Sequence, residues 1–567
     1  MLKLFLSKPT TCILTAITLA SCSGSMSPDQ QVQGHKTIEA KEIIAPWQSN
    51  DAPGVAVAIS LNDKIIFSEG AGLASLEHRQ KIVPDSVFQI ASVSKQFTAF
   101  ATLLLVSEGK ISLDEDIRHY FPELSETPRV ITVRHLLDHM SGLRERNTLA
   151  AMAGWMEDDI QTEAQLTELV VRQRGVNFTA GEKVEYSNTG YALLAAIVAR
   201  QSGQSFQDFM RERVFQPLDM TQTTIPNNRN DIIPARASSY YPEGDGYKNI
   251  IAAGEAMGST GIYTSTLDLL KWAENFETKV VGDKFVFDMM EERSIAANGK
   301  ASTFAKGQEL RPYKGLQTWS HGGRDAGYRS FVLRIPNEDF ELSILSNRTD
   351  FDTAKMAFAL VDTFLGDTVN YQNDIPEEFN VTTKTDLAAY EGDYEFFPGT
   401  IFSIRATDQG LTFAAFGATR DSLEPLSQIG QRQFMLNPRQ DISIKFAPPT
   451  GGKSANFEYQ IGLHGSINAD RIELQAFEQE GVEHTEYVGV FTSQELETRY
   501  SLTSKDGQLY AKHARLPVFE LSPLQEDQFT GLNGPLQKVE FIRENGEIVG
   551  FYASAPLSER IKFVRQE

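Results

Sequence analysis

Ser92-Val93-Ser94-Lys95 opens a stretch, Ser92 to Ser107, in which Ala, Leu and Phe recur at helical spacing until Gly109 ends it. Residues three apart share a helix face, so Ser92 and Lys95 can touch. The first turn of a helix also offers free backbone N–H groups and the positive end of the dipole, both suited to a developing oxyanion. A serine hydroxyl is inert until a neighbour takes its proton, and a lysine can do so if burial or a second cation lowers its pKa. The pattern is short, and it recurs at Ser107 and Lys110, where Gly109 breaks the face. Taken alone, Ser92 reads better as a helix cap.

Two further clusters lie downstream. Tyr186-Ser187-Asn188 precedes a helical pattern from Thr189 to Gln201, closed by Gly203, and the Tyr-x-Asn spacing recurs at Tyr247/Asn249 and Tyr371/Asn373. His321-Gly322-Gly323 falls just before a strand pattern at Tyr328 to Ile335, where glycines would let a ligand approach the backbone. Strand patterns at Gly54 to Ser60, Lys64 to Ser68 and Phe340 to Leu345, a helix from Ser205, and a last helix from Thr353 to Leu365 complete an α+β domain over 37–370.

Past a linker at 371–383 the helical periodicity disappears, and short alternating segments with Gly and Asn/Asp turns take over. Tyr390-Glu391-Gly392-Asp393-Tyr394 is echoed by Tyr487-Val488-Gly489-Val490-Phe491, Phe402-Ser403-Ile404 by Tyr500-Ser501-Leu502, and Leu423-Glu424-Pro425-Leu426 by Leu521-Ser522-Pro523-Leu524, at an offset of 97 to 98. Such echoes mark two copies of one β-unit, 384–475 and 476–567, and units of this size hide their edges by closing into barrels.

The remaining sequence narrows the chemistry. The chain has 567 residues and a net charge of −22, with no Lys/Arg run, which argues against a nucleic-acid partner. There is no phosphate-binding Gly-rich loop and no Cys-rich zinc site; His135 and His139 stand four apart without the glutamate of a zinc-protease pattern, so no metal and no cofactor is expected. Lys3, Lys8 and the apolar run Cys12 to Leu19 read as a signal peptide, and Leu19-Ala20-Ser21-Cys22 resembles a bacterial lipobox in which Cys22 is lipidated. On that reading 1–22 is the leader and the Ser/Gln-rich stretch 23–36 a flexible tether. The protein would be anchored in the cell envelope, with Ser23 favouring the outer membrane.

The order Ser-x-x-Lys, Tyr-x-Asn, His-x-Gly resembles the penicillin-recognising serine hydrolases: class C β-lactamases, low-molecular-weight penicillin-binding proteins, D-aminopeptidases and related esterases. Ile131 to Leu143, Gly181-Glu182-Lys183, Asn188-Thr189-Gly190-Tyr191 and Gly258 to Ser265 look like signatures of the same group. The resemblance implies a beta-lactamase/transpeptidase-like catalytic domain, an antiparallel sheet with helices, followed by lipocalin-like barrels similar to those of the D-aminopeptidases. It implies Ser92 as nucleophile, Lys95 and Tyr186 as shared base, and Asn188 as a ligand of substrate and lysine. The backbone N–H groups of Ser92 and Arg324 would form the oxyanion hole, with Gly322 and Gly323 beside the substrate. Where β-lactam-directed members carry Lys-Thr-Gly, this chain has His321. The expectation is hydrolysis of amide or ester bonds in small peptides, D-residue-containing or peptidoglycan-derived, or in carboxylic esters, with weak β-lactam turnover. It includes a protonated His321 that helps bring Tyr186 down towards neutrality, and activity that changes between about pH 6 and 7. The alternatives are a penicillin-binding or β-lactamase-type enzyme, and an envelope binding protein that keeps the fold without catalysis. The oligomeric state is left open.

Overall fold

Val55, Val57 and Ile59 leave strand β1 (Val55–Leu61) on one side and Ala56 on the other, and this alternation sorts the catalytic core into two layers. The computed structural model describes residues 28–566, apart from 125–129, 157, 252–256, 298, 300, 367–383, 416–423, 438–441, 462–465, 475–483 and 532. The signal peptide, Cys22 and the linker at 371–383 lie outside the described residues. From β1 the chain runs through β2 (Lys64–Ala71), β3 (Phe304–Ala305), β4 (Gln308–Tyr313), β5 (Leu316–Asp325), β6 (Tyr328–Ile335) and β7 (Phe340–Ser346). These form one antiparallel sheet in the order β2-β1-β7-β6-β5-β4-β3.

One face of the sheet carries Phe331, Leu333, Phe340, Leu342 and Ile344 and packs against helix α1 (Pro28–Ile44) and the helix Thr353–Leu365. The stretch expected as a flexible tether is therefore helical from Pro28. Its Gln, Lys, Glu and Ala residues are good helix formers, and Ala40 and Ile44 anchor the helix to the sheet. The other face packs against the helix Thr266–Thr278, and α2 (Ser94–Ser107) and α3 (Asn188–Ser202) join the same core behind it. Phe97 of α2 stacks on Trp272, 4.2 Å between ring centres, and Gln96 accepts the indole N–H at 2.9 Å.

The C-terminal third is two barrels. Residues 489–565 form eight antiparallel strands closed by pairing of the first, Gly489–Ser493, with the last, Ser558–Arg565. Residues 392–472 repeat this order, with Gly392–Phe397 pairing Ser466–Ile472, but among the described residues they count nine strands and leave one break. The strand Phe519–Gln525 of the second barrel corresponds to two short pieces in the first, Glu424–Pro425 and Ser427–Gly430. The expectation of two like barrels is thus met by one closed barrel and one near-closed one.

The second barrel's aromatic interior includes Phe491, Phe551 and Phe563, and continues without a break into Leu149, Met152, Leu166 and Leu169 of the catalytic domain. Among the described residues, no helix is long and apolar enough to cross a membrane.

Candidate active site

The chain reaches Ser92 through a strained elbow. Ala91 has φ 47°, a left-handed conformation that a residue with a side chain adopts only when its surroundings impose it. Ser92 then sits in a single 3-10 turn, Ala91–Val93, which runs into α2. β5 holds the elbow in place. A side chain on Gly323 would put its Cβ 2.4 Å from the Ile90 carbonyl oxygen and 2.2 Å from Ser330 Oγ, so only glycine permits this approach. Gly322 has no such constraint, since a Cβ there meets nothing nearer than 3.6 Å. β5 pairs with β4 only from Leu316 to Ser320, whereas it pairs with β6 on its other side as far as Asp325. From His321 to Asp325, one edge of the strand has no strand partner among the described residues.

Lys95 is fully buried, and its ammonium nitrogen lies 3.2 Å from Ser92 Oγ, 2.8 Å from Asn188 Oδ1 and 2.9 Å from the Ser259 carbonyl oxygen. Burial, with a smaller contribution from the Arg146 cation, lowers its pKa to about 7 against the pull of Glu145 and Asp325. Two of its three neighbours, both carbonyl oxygens, can only accept. They fix two N–H bonds, and when the amine is neutral its lone pair is left for Ser92. Tyr186 lies beside this group, with Lys95 Nζ 4.7 Å from its ring centre and its phenol oxygen in hydrogen-bonding range of Ser92.

Two expectations about protons are overturned. Burial pushes the Tyr186 phenol well above its ordinary pKa, so it keeps its proton at neutral pH. His321 is buried, and burial followed by repulsion from Lys95 lowers it to about 3, so it is neutral where a charged imidazole was expected. Its Nδ1 lies 2.6 Å from the Gly322 carbonyl oxygen, which makes Nδ1 the protonated nitrogen. Its Nε2 is buried with no partner among the described residues.

Sequence reasoning undervalued one residue and missed a strip. His139, set aside in the sequence because the zinc-protease glutamate is missing, stacks on Tyr186 at 4.6 Å and accepts the Ser187 N–H on Nδ1 at 3.0 Å. Arg144, Glu145 and Arg146 are all buried. Glu145 Oε2 accepts the Asn188 and Thr189 N–H groups at 2.8 and 3.4 Å, capping α3. The second Tyr-x-Asn pattern lies elsewhere, in the hairpin strand Gly246–Asn249, and Tyr371 falls outside the described residues.

Ser92, Tyr186, His321, Gly322, Gly323 and Arg324 open onto a cleft of about 1360 Å³. Its walls include Glu395 to Pro398 and Asp470 of the first barrel, and Lys538, Leu557 and Glu559 of the second. Among the described residues no cluster of three metal-ligating side chains occurs.

Fold and site together define a beta-lactamase-like serine hydrolase. Residues 40–363 match the beta-lactamase family, and the chain belongs to it. It is 22% identical over 535 residues to a D-aminopeptidase of Brucella anthropi, an alignment covering 91% of this chain and 96% of that protein. Among solved structures, the octameric penicillin-binding protein homologue from Pyrococcus abyssi superposes with a TM-score of 0.53 at 20% identity, over 77% of this chain and 99% of that one. SurE superposes at 0.56 and 18% identity, over 78% and 100%.

Proposed function

We propose that this protein hydrolyses amide bonds of short peptides through an acyl-enzyme on Ser92, with peptides that begin with a D-residue as the preferred substrates. The observation that carries the reading is the Lys95 geometry: a buried amine near half-neutral at pH 7, with its free position towards Ser92. Neutral Lys95 takes the Ser92 proton as Oγ attacks the carbonyl carbon. The oxyanion is received by the Ser92 and Arg324 N–H groups, each contributing ~3 kcal/mol to the transition state. Tyr186 keeps its phenolic proton and hands it to the leaving amine, while the proton on Lys95 replaces it. A water then repeats the sequence on the ester, and Ser92 is restored. Asn188 spends its oxygen on Lys95 and keeps its amide nitrogen for the substrate.

The substrate class rests on likeness to D-aminopeptidase along nearly the whole chain, both barrels included. Barrel residues on the cleft walls favour short chains over extended ones. Neutral His321 offers no cation to a carboxylate, which is consistent with weak β-lactam turnover. We propose further that Cys22 carries a lipid that tethers the enzyme to the envelope; loss of palmitate labelling in Cys22→Ala tests this.

The test is the intact mass of the protein beginning after Cys22 once treated with a fluorophosphonate, beside Ser92→Ala. One adduct on the wild type alone is expected. No adduct on the folded wild type would sink the hydrolase reading. Turnover of D-alanyl anilide, L-alanyl anilide, p-nitrophenyl acetate and nitrocefin then ranks substrates. Nitrocefin turned over faster than the D-alanyl amide would overturn the peptide preference. The rate should rise through about pH 7 as Lys95 loses its proton, and His321→Asn should leave that limb in place.

A further inference from the structure

Arg146 is 1% exposed, and its hydrogen bonds run to the segments that carry the partners of the catalytic lysine. Its Nη2 donates to Ser259 Oγ at 3.2 Å, and the carbonyl of that same Ser259 receives Lys95 at 2.9 Å. Its Nη1 donates to Glu163 at 2.8 Å, and Glu163 in turn accepts the Met257 N–H at 3.0 Å, pinning the loop that delivers Ser259. Its backbone N–H donates to Thr189 Oγ1 at 2.8 Å, next to Asn188. The preceding residue, Glu145, works on the other side of the lysine by fixing the Asn188 backbone, whose side-chain oxygen is Lys95's second acceptor. Glu145 and its neighbour Arg144 are clamped from the second barrel: Glu145 N–H donates to the Leu557 carbonyl at 2.9 Å, and Arg144 pairs with Glu495 at 2.6 Å.

We propose that Glu145 and Arg146 are positioning residues that set, with opposite sign, how readily Lys95 yields its proton. This rests on the acyl-enzyme reading above. A buried cation joined to the lysine through Ser259 disfavours the ammonium form, and a carboxylate joined to it through Asn188 favours it. The other groups facing Lys95 are Asp325 and His321 from β5, His139 from the loop before Arg144, and Tyr186 and Tyr191 on either side of the start of α3. They are the same in every variant compared, so they cancel.

The measurement is the second-order rate of fluorophosphonate labelling of Ser92 against pH, which needs no knowledge of the substrate. In Arg146→Gln the acid limb should move to higher pH by roughly half a unit to one unit. In Glu145→Gln, which keeps an oxygen for the Asn188 N–H, it should move to lower pH by a similar amount. Arg146→Lys, which keeps the charge, should restore the wild-type limb even if its amplitude falls. A merely structural role would lower the amplitude of both variants and leave both limbs in place, and that result, or shifts of the same sign, would overturn the proposal. A wild type that is never labelled would instead remove the acyl-enzyme reading itself.

Discussion

The two barrels descend from one pattern and meet the catalytic domain in different ways. The second shares its core with the catalytic helices: Tyr500 donates from its hydroxyl to the Met152 carbonyl at 2.9 Å, and Leu149 and Leu166 continue its interior. Gly154 exists to admit it, since a Cβ there would fall 1.9 Å from the His513 ring. The first has its own core around Tyr394, Phe446 and Phe457 and supplies one wall of the cleft from Glu395 to Pro398. The second barrel is a buttress for the strip on which catalytic residues stand. The first is a wall alone, and it lines the cleft beside Lys538, Leu557 and Glu559 of the second. The strand break at Glu424–Ser427 fits this division, because an interrupted ring is tolerated where the barrel braces no catalytic strip.

The sharpest way to break the comparison is to cut the buttress at Arg144. Its guanidinium also donates to the Glu559 and Arg560 carbonyls, both at 2.9 Å, and both partners of the Arg144–Glu495 pair are at most 10% exposed. Glu495→Ala leaves that cation without its carboxylate and removes the acceptor of the Arg174 N–H. A loss of about 3–5 kcal/mol is expected in urea or thermal unfolding, with Ser92 labelling slowed alongside. If stability falls while labelling is unchanged, the second barrel is only a neighbour of the site.

Much of this was legible in the sequence, for physical reasons. Strands with alternating faces and helices with a continuous apolar stripe declare themselves, so Tyr328–Ile335 and Thr353–Leu365 appear where periodicity placed them. The Ser92, Lys95, Tyr186, Asn188 and His321 set could be gathered by motif order. Its protonation could not, because the direction of each shift comes from burial that only tertiary packing creates. Three consecutive charged residues, Arg144 to Arg146, belong to none of the motifs that the sequence offers. Their partners stand as much as 416 positions away, so local sequence carries no sign of their burial. The repeat offset revealed two units but not which would fuse with the catalytic domain, since Leu149 and Leu166 look like any helix core.

A middle-sized effect sharpens the wall assignment. Phe396 packs on Tyr459 at 4.9 Å and Phe397 at 4.5 Å and lines the cleft. Removing its ring costs substrate ~1 kcal/mol of apolar and aromatic contact, so Phe396→Ala should raise KM about fivefold. The pH limb of labelling should stay in place, because Phe396 touches none of the groups that hold Lys95. A shifted limb would mean that the first barrel, too, supports the base.

The smallest effect is expected where the barrels meet each other. Lys538 of the second pairs with Glu395 of the first at 3.0 Å, and both are about one-fifth exposed. Beside them, Thr530 donates to the Gly399 carbonyl at 3.1 Å, and a Cβ on Gly399 would fall 2.0 Å from the Gln537 carbonyl oxygen. The junction is therefore set by backbone fit, and the ion pair adds to a contact already made. Water reaches both charges, so Glu395→Ala should cost less than about 1 kcal/mol. The same comparison made at Arg144–Glu495 should give several times more. Equal losses at the two pairs would mean that both barrels are braced alike, and that the difference in their docking has no energetic content.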